Sequence, residues 1–198
     1  GTEAAQGSIY GATDEVKAMF TDGVEATIYG YFCSISSGKY INVVVVSVDE
    51  APAIGGGSEP EAPNYTSALG SAVLGDFVEV DGYISAVSSQ GPILTDNGGS
   101  ILLYKSSGYE VGDEVSVSGT ISSYNCGFQI GTADITIEKT GTTTVSYPEA
   151  LDITGAYADE LLTTRVNDEY AYYAKMTGTV SVSGNYYNFN IPGAETAV

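Results

Sequence analysis

The sequence contains no histidine and no tryptophan, and only 6 of its 198 residues are basic. Without histidine, Ser-His-Asp, Cys-His and zinc-hydrolase mechanisms lose their usual base or metal ligand. The 25 acidic residues give a net charge of −19, which opposes binding to nucleic acid and to anionic membrane surfaces. No apolar run is long enough for a transmembrane helix. We therefore expect a protein that is not an enzyme, does not insert into a membrane and binds no nucleic acid.

Other chemistry is poorly supported. Carboxylates at Asp76, Glu79 and Asp81 alternate along a strand, but on the face that we expect solvent to cover. The loop at Asp96 and Asn97 lacks the ligand spacing of a calcium loop. We expect no catalytic residue, no metal site and no cofactor.

Cysteine is also scarce, with Cys33 in a predicted strand and Cys126 at a predicted hairpin tip. Two cysteines are too few for a disulfide framework, and these positions favour separate thiols over one bridge. The scarcity of lysine and the abundance of tyrosine, serine and threonine are typical of an exported protein. We expect an extracellular or cell-surface location.

The feature that is present is a strand centred on a glycine. Four segments, around Gly30, Gly82, Gly119 and Gly178, place β-branched or aromatic residues in alternation with polar ones on both sides of the glycine. A mid-strand glycine of this kind usually marks a bulge or a sharp bend in a small barrel. With 25 glycines in all, the pattern predicts an all-β fold.

Residues 64–140 form one complete pattern of this kind. Three strands come first, the second and third joined by a tight turn at residues 97–99; a short irregular crossing and two more strands follow. The predicted strands are 78–88, 91–96, 100–104, 114–124 and 128–138. This order is that of an OB-fold, a small Greek-key barrel.

The motifs in this segment carry a resemblance. Gly-Asp-x-Val-x-Val-x-Gly occurs at residues 75–82 and again at 112–119, and Tyr-Asn-x-Gly-Phe-Gln-Ile occurs at 124–130. Over residues 66–140 the chain resembles OB-fold modules of secreted and surface proteins of Bacteroidota-type bacteria. The resemblance implies a fold much more than a function, because such modules serve several roles.

The two ends of the chain match the two halves of a second module in reverse order. Residues 145–198 resemble its first half, and residues 1–50 supply a strand, a helical segment near residues 14–20 and two further strands. Residues 51–63, rich in glycine and proline, form a linker. Neither half can bury its apolar face alone, because a two-stranded hairpin is marginal in water.

Three arrangements satisfy this pattern. The halves close within one chain as a permuted barrel, they close between successive chains, or the chain is a piece of a longer repeat protein. Closure between chains is a head-to-tail contact that produces a filament unless rotation closes it into a ring. We therefore expect two OB-like Greek-key barrels, the second assembled from the two ends, within one chain or between neighbours.

The preferred functional hypothesis is a structural subunit of an extracellular head-to-tail filament or surface assembly, joined by strand complementation between copies. Its partner is another copy of the chain. The predicted subunit interface consists of apolar and aromatic residues of the end segments: Ile9, Tyr10, Ile28, Tyr29, Tyr40, Val44, Tyr172, Met176, Val180, Tyr187 and Phe189.

The alternative is a secreted OB-fold binding module. Single-stranded nucleic acid is a poor ligand, because residues 64–140 contain two lysines against nine acidic residues. Glycan is a better one, since tyrosine faces beside asparagine suit sugar stacking and hydroxyl recognition. Tyr186 and Asn188 are the candidate glycan-binding residues.

Overall fold

The computed structural model describes residues 6–36, 40–52, 65, 68–155 and 170–193, and in these it is all-β, as expected. Most of the predicted linker, residues 53–63, lies outside the described residues. Helix α1 spans Asp14–Ala18, shorter than the predicted 14–20. The strands, in chain order, are β1 Gln6–Ile9, β2 Glu25–Ser36, β3 Tyr40–Val48, β4 Phe77–Ser88, β5 Gly91–Thr95, β6 Ser100–Leu103, β7 Asp113–Tyr124, β8 Gly127–Ile130, β9 Thr136–Thr142, β10 Leu151–Asp152, β11 Tyr172–Ser183 and β12 Tyr186–Asn190.

The strands form two six-stranded sheets. In the second sheet, which comes from the middle of the chain, the order is β4-β5-β6-β8-β7-β9, and β4 also pairs with β7. All of these pairs are antiparallel except β6 with β8, which is parallel. The pairing therefore runs in a ring through β4, β5, β6, β8 and β7, with β9 added at one edge.

The first sheet repeats this ring with strands from the two ends of the chain. Its order is β10-β11-β12-β1-β3-β2, and β11 also pairs with β2. Within this ring the parallel pair is β1 with β3, and β10, added at the edge, also runs parallel to its partner β11. β11 pairs with β2 over eight residue positions, from Tyr172 opposite Phe32 to Thr179 opposite Glu25. Each strand of the ring in one sheet thus has a counterpart in the other, although the chain visits them in a different order.

Each sheet has its own apolar core. Phe32 and Phe189 are fully buried at the centre of the first core, and Ile84 and Leu94 are fully buried in the second. The partly buried ring of Phe20, just after α1, lies edge-on to Phe189 at 5.5 Å between ring centres. The helix therefore closes the first core, and Thr13 caps it by accepting a hydrogen bond from the Val16 N–H at 3.3 Å.

The mid-strand glycines allow close approach of a neighbouring backbone. A Cβ atom on Gly82 would overlap the carbonyl oxygen of Thr95, and one on Gly30 would overlap that of Val44. Only Gly30 of the four lies directly at a register shift, where β2 meets β3. The sequence correctly predicted that these four glycines have a structural role. Close packing against a neighbouring strand accounts for the glycine at these positions better than a β-bulge at each one.

The predicted fifth strand of the central module, residues 128–138, is wrong as a single element. The chain forms β8, breaks at residues 131–135 and then forms β9. The two strands pair with different parts of β7, since Ile121–Tyr124 faces β8 and Asp113–Ser118 faces β9. Alternation of residues continues across the break, so periodicity alone did not reveal it.

One buried carboxylate organises the loop between β5 and β6. Asp96 accepts hydrogen bonds from the backbone N–H groups of Leu69 at 2.8 Å, Gly98 at 2.6 Å and Gly99 at 2.9 Å. Leu69 is itself buried in the second core. Asp96 therefore ties the segment that precedes β4 to the β5–β6 hairpin.

We predict that Asp96→Ala lowers the free energy of unfolding by about 2 kcal/mol, because the buried Leu69 N–H loses its acceptor while the two glycine N–H groups can reach water. Urea unfolding at pH 7 measures the change. Asp81→Ala, on an exposed position of β4, is the control and should change stability by less than about 0.5 kcal/mol. Equal stability of the two variants would contradict the role given to Asp96.

Candidate functional site

A third cluster of buried side chains joins the two sheets, and we call it the junction cluster. Tyr31, Cys33 and Val44 enter it from the first sheet. The second sheet contributes Ala86, Ile93 and Leu102. Two faces that would otherwise be solvated are thus buried against each other, which fixes the relative position of the sheets.

Backbone hydrogen bonds reinforce this contact. The Ser89 N–H donates to the Gly11 carbonyl at 2.8 Å, and the Ile35 N–H donates to the Asn125 carbonyl at 2.8 Å. Both bonds connect a turn of one sheet to a strand or turn of the other. The sheets therefore meet through directional contacts as well as apolar ones.

A groove opens beside the junction cluster, with a cavity volume of about 850 Å³. This lies within the range of about 300–1,000 Å³ that is usual for small-molecule sites. We call it the junction groove. Its lining is rich in tyrosine, asparagine and serine, and comprises Ser8, Ile9, Tyr10, Gly11, Ala12, Lys17, Ser36, Tyr40, Asn42, Ser89, Gln90, Tyr104, Tyr124, Asn125, Ser183, Asn185, Tyr186 and Asn188.

Aromatic rings stand on both sides of the groove. Tyr186 is the first residue of β12 and is 73% exposed, and Tyr124 is the last residue of β7 and is 55% exposed. Large aromatic side chains with this exposure offer open ring faces to a ligand. The two rings belong to different sheets, so a ligand that contacts both spans the junction.

Tyr10 lies deeper in the groove. Burial raises the pKa of its hydroxyl to about 12, and Cys33, Tyr104 and Tyr124 contribute to the shift through their own charges. This hydroxyl is therefore protonated at neutral pH and can donate a hydrogen bond. The Nζ of Lys105 lies 5.2 Å from the centre of the Tyr104 ring, a distance that permits a cation–π contact.

Hydrogen bonds within the protein hold one of the amide side chains. The Asn42 Nδ2 donates to the Ser34 hydroxyl at 2.7 Å, and the Ser36 hydroxyl donates to the Asn42 Oδ1 at 3.3 Å. Asn42 is buried, so its side chain has one orientation at the base of the groove. A preformed polar group of this kind orients a ligand at little entropic cost.

The electrostatics of the groove differ from those of the whole chain. Among the described lining residues, Lys17 is the one charged side chain, and its Nζ lies 3.1 Å from the Asp14 Oδ1. The rest of the molecule carries the strong negative charge. The groove is therefore suited to an uncharged, hydroxyl-rich ligand more than to a polyanion.

The structure distributes the sequence-predicted residues among three places. Tyr186 and Asn188, the glycan candidates, both line the junction groove, as do Ile9, Tyr10 and Tyr40 from the predicted subunit interface. Tyr10, Tyr29 and Val44 contact the junction cluster. The remaining interface residues, Ile28, Tyr172, Met176, Val180, Tyr187 and Phe189, belong to the first core or pack against it, and Ile9 belongs to that core as well.

Sequence reasoning missed the contribution of the central module to the groove. Gln90, Tyr104, Tyr124 and Asn125 lie in or next to turns of the second sheet and reach the groove only because the sheets pack together. Asn125 has a positive φ of 51°, typical of a tight turn. An exposed Tyr-Asn pair at a hairpin tip was the signal that could have identified this part of the site.

The described residues also show whether the protein has a metal-binding cluster, free thiols or a membrane-spanning helix. They contain no group of three or more Cys, Asp or Glu side chains placed to hold a metal ion. Cys33 and Cys126 are free thiols. No helix in the described part of the chain is both long and apolar enough to span a membrane.

Comparison with known proteins adds no assignment. No protein-family model, no curated protein and no solved structure matches the chain. The geometry of the groove is therefore the basis for assigning a function.

We predict that Gly127→Ala destabilises the junction. A Cβ atom at Gly127 would overlap the Cys33 carbonyl oxygen, so the β7–β8 turn must move away from β2 and the bond from Ile35 to Asn125 is strained. Overpacking of this kind costs about 1–3 kcal/mol, measurable by urea unfolding. Gly131→Ala, where the nearest atom is the Ser122 hydroxyl at 3.4 Å, is the matched control and should be close to neutral. A Gly127→Ala protein as stable as this control would show that the turn does not pack tightly on β2.

Proposed function

We propose that the chain is a carbohydrate-binding protein built from two OB-like barrels, exported to the cell surface or beyond, and that a neutral oligosaccharide lies in the junction groove. The observation that carries the proposal is the convergence of binding turns from both sheets on one groove. No catalytic step is part of this function.

The pairing order of the sheets supports the OB-like assignment. In an OB-fold, five strands form a partly open Greek-key barrel, and ligands bind at the turns between strands one and two and between strands four and five. Each sheet here has a ring of five strands with one parallel pair, between the third and fifth strands of the OB order. By this correspondence β4 and β11 are first strands, and β7 and β2 are fourth strands.

The four equivalent turns meet at the junction groove. The second sheet contributes Ser89 and Gln90 between β4 and β5, and Tyr124 and Asn125 between β7 and β8. The first sheet contributes Ser183, Asn185 and Tyr186 around the β11–β12 turn, and Ser36 and Tyr40 at the strand ends that flank the β2–β3 connection. Two OB-type binding surfaces that face one groove suit an extended ligand better than two separate small ones.

The chemistry of the lining favours carbohydrate over nucleic acid. Single-stranded nucleic acid requires cationic side chains along its phosphates as well as stacking rings. The groove has the rings, but among its described lining residues only Lys17 is cationic and it is paired with Asp14. Sugar rings stack on tyrosine without charge, and their hydroxyls can bind the amides and hydroxyls of the lining.

We predict that Tyr124→Ala combined with Tyr186→Ala weakens binding of a neutral oligosaccharide by about tenfold or more, because each lost stacking contact contributes on the order of 1 kcal/mol. A glycan array identifies the ligand, and calorimetry with the matching hexasaccharide measures its Kd. Phe77→Ala is the control, because Phe77 is 60% exposed but does not line the groove.

Two results would contradict the carbohydrate proposal. One is the absence of any neutral glycan that binds the wild-type protein, and the other is equal binding by the double variant and the Phe77→Ala control. A thymidine oligonucleotide at about 0.15 M salt, where phosphate contacts are screened, should not bind.

A second candidate function is a structural subunit that assembles head to tail by strand complementation at the cell surface. One observation favours it: β1, β2 and β3 pair with β11 and β12, while the only covalent path from β3 to the second sheet runs through residues 49–76. Residues 49–68, the first twenty of that path, are at most about 70 Å long when fully extended, and this length sets how far β1–β3 can reach from their own second sheet. The same strand pairs can therefore form with a second copy of the chain without loss of a hydrogen bond.

We predict that a disulfide introduced across the pairing of β2 with β11 reports which copy supplies each strand. Thr27 and Thr177 are directly opposite, with hydroxyl oxygens 2.8 Å apart, so Thr27→Cys with Thr177→Cys can form a bond in place. Cys33→Ser and Cys126→Ser remove the native thiols. If the chain polymerises by complementation, a denaturing gel without reductant shows a ladder of covalent multimers.

A cross-linked monomer would contradict the assembly and leave the carbohydrate proposal intact, since the groove exists within one closed chain. The control is the single Thr27→Cys variant in the same Cys-free background. It has no partner thiol opposite it and should give no ladder when oxidised.

A further inference from the structure

The strands β4, β7 and β9 have one side that faces away from the second core, and we call it the outer face. Val78 and Val80 of β4 belong to the core, so Phe77, Glu79 and Asp81, which alternate with them, point to the other side. All three are exposed, Phe77 by 60%. Small hydroxyl residues of β7 lie opposite them: Thr120, Ser118 and Ser116.

The corresponding face of the first sheet is already buried in a contact between sheets. Phe77 and Tyr173 are each paired with the residue directly after the mid-strand glycine of the opposite strand, Thr120 in one sheet and Tyr31 in the other. Tyr31 and Tyr173 are buried in the junction cluster, where the second sheet covers them. The fold therefore uses this face for a protein contact in one sheet and leaves Phe77 exposed at the equivalent place in the other.

The charges of the outer face indicate the chemistry of what covers it. Glu79 and Asp81 lie on β4, and Glu138 of β9 is paired with Ser116, which places it on the same face. Asp134 lies beside them and accepts a hydrogen bond from the Thr120 N–H at 3.2 Å. No ion pair between described residues includes any of these four carboxylates. The face therefore attracts positive charge.

The spacing of the carboxylates suits several cationic side chains better than one metal ion. Glu79 and Asp81 are two positions apart on one strand, about 7 Å between Cα atoms. The whole of β7 separates Asp81 from Glu138, a distance of about 10 Å. The described residues form no group of acids placed to hold a metal ion. Lysine or arginine side chains of a partner can instead meet the carboxylates one by one.

A second copy of the chain is poorly suited to supply these cations. It has 6 basic residues in all, and Lys17, Lys139 and Lys175 are already paired with aspartates of their own chain. Its net charge of −19 repels another copy. The charges therefore favour a different protein, and a basic one.

We propose that the outer face is the docking surface for a basic protein, whose lysine or arginine side chains pair with Glu79, Asp81 and Glu138 while an apolar residue covers Phe77. The contact repeats, between two molecules, the way in which Tyr173 is covered within one, and the charges select the partner. The outer face contributes no residue to the lining of the junction groove, so the proposal does not depend on a ligand there.

The test titrates the full chain, labelled with nitrogen-15, with a peptide of three Lys-Leu-Lys repeats at about 0.15 M salt, where long-range attraction is screened. The largest amide shifts should lie in β4, β7 and β9. Glu79→Gln with Asp81→Asn should weaken binding about fivefold or more, because two charge contacts are lost. Phe77→Ala should do the same for this peptide but not for decalysine, which has no apolar side chain to cover the ring.

The controls match these changes in charge and in exposure. Glu50→Gln with Glu149→Gln neutralises two exposed acids elsewhere, and Met19→Ala shortens an apolar side chain that is 54% exposed. Both should bind the peptide like the wild type. Equal losses in the two neutralised proteins would overturn the proposal, because the peptide would then respond to net charge alone.

Three further results would overturn it. One is the absence of peptide binding to the wild type, and another is amide shifts confined to the junction groove. The third is dimerisation of the chain alone that Phe77→Ala abolishes, which would identify a second copy as the occupant. Because all of the changed side chains are exposed, every variant should melt at the wild-type temperature, which excludes unfolding as the cause of a loss.

Discussion

The pairing of β11 with β2 is the contact on which the rest of the molecule depends. It joins segments near opposite ends of the chain, from Tyr172 opposite Phe32 to Thr179 opposite Glu25. Without it, β11 and β12 form an isolated hairpin, and the segment from β1 to β3 has an open edge; neither is stable alone in water. The first core, the placement of Tyr31 in the junction cluster and the first-sheet half of the groove all follow from this one row of hydrogen bonds.

The junction converts two similar sheets into one site. Apolar residues such as Val44 and Ile93 bury the contact, and backbone bonds such as that from Ile35 to Asn125 fix its register. Tyrosine and amide side chains then face a shared space from both sides, while the acidic residues lie mostly elsewhere. Because the acidic residues lie mostly outside the groove, a strongly anionic chain has a nearly neutral groove. The net negative charge of the chain repels anionic polymers at long range.

Much of the fold could be predicted from sequence, because alternating residues and mid-strand glycines specify strands locally. The strands around Gly82 and Gly119 were placed to within one residue at each end, and strands also form around Gly30 and Gly178, as predicted. The break between β8 and β9 was missed because alternation continues through it. Half of the groove was missed for another reason. Tyr124 comes near Tyr10 only because the two sheets pack together, and no local sequence pattern encodes that packing. Tyr186 and Asn188, in contrast, belong to a dense local cluster that composition reveals.

The proposed assembly and the proposed sugar groove both depend on the rigid contact between the two sheets. Single sites lined by a few tyrosines bind sugars weakly, and affinity for a polymer then comes from several sites that act together, at an effective concentration set by their spacing. Strand complementation would repeat the groove at a fixed interval along a filament, because every copy would carry the same junction. Rigid spacing matters more here than strong single contacts, and the junction cluster is what supplies it.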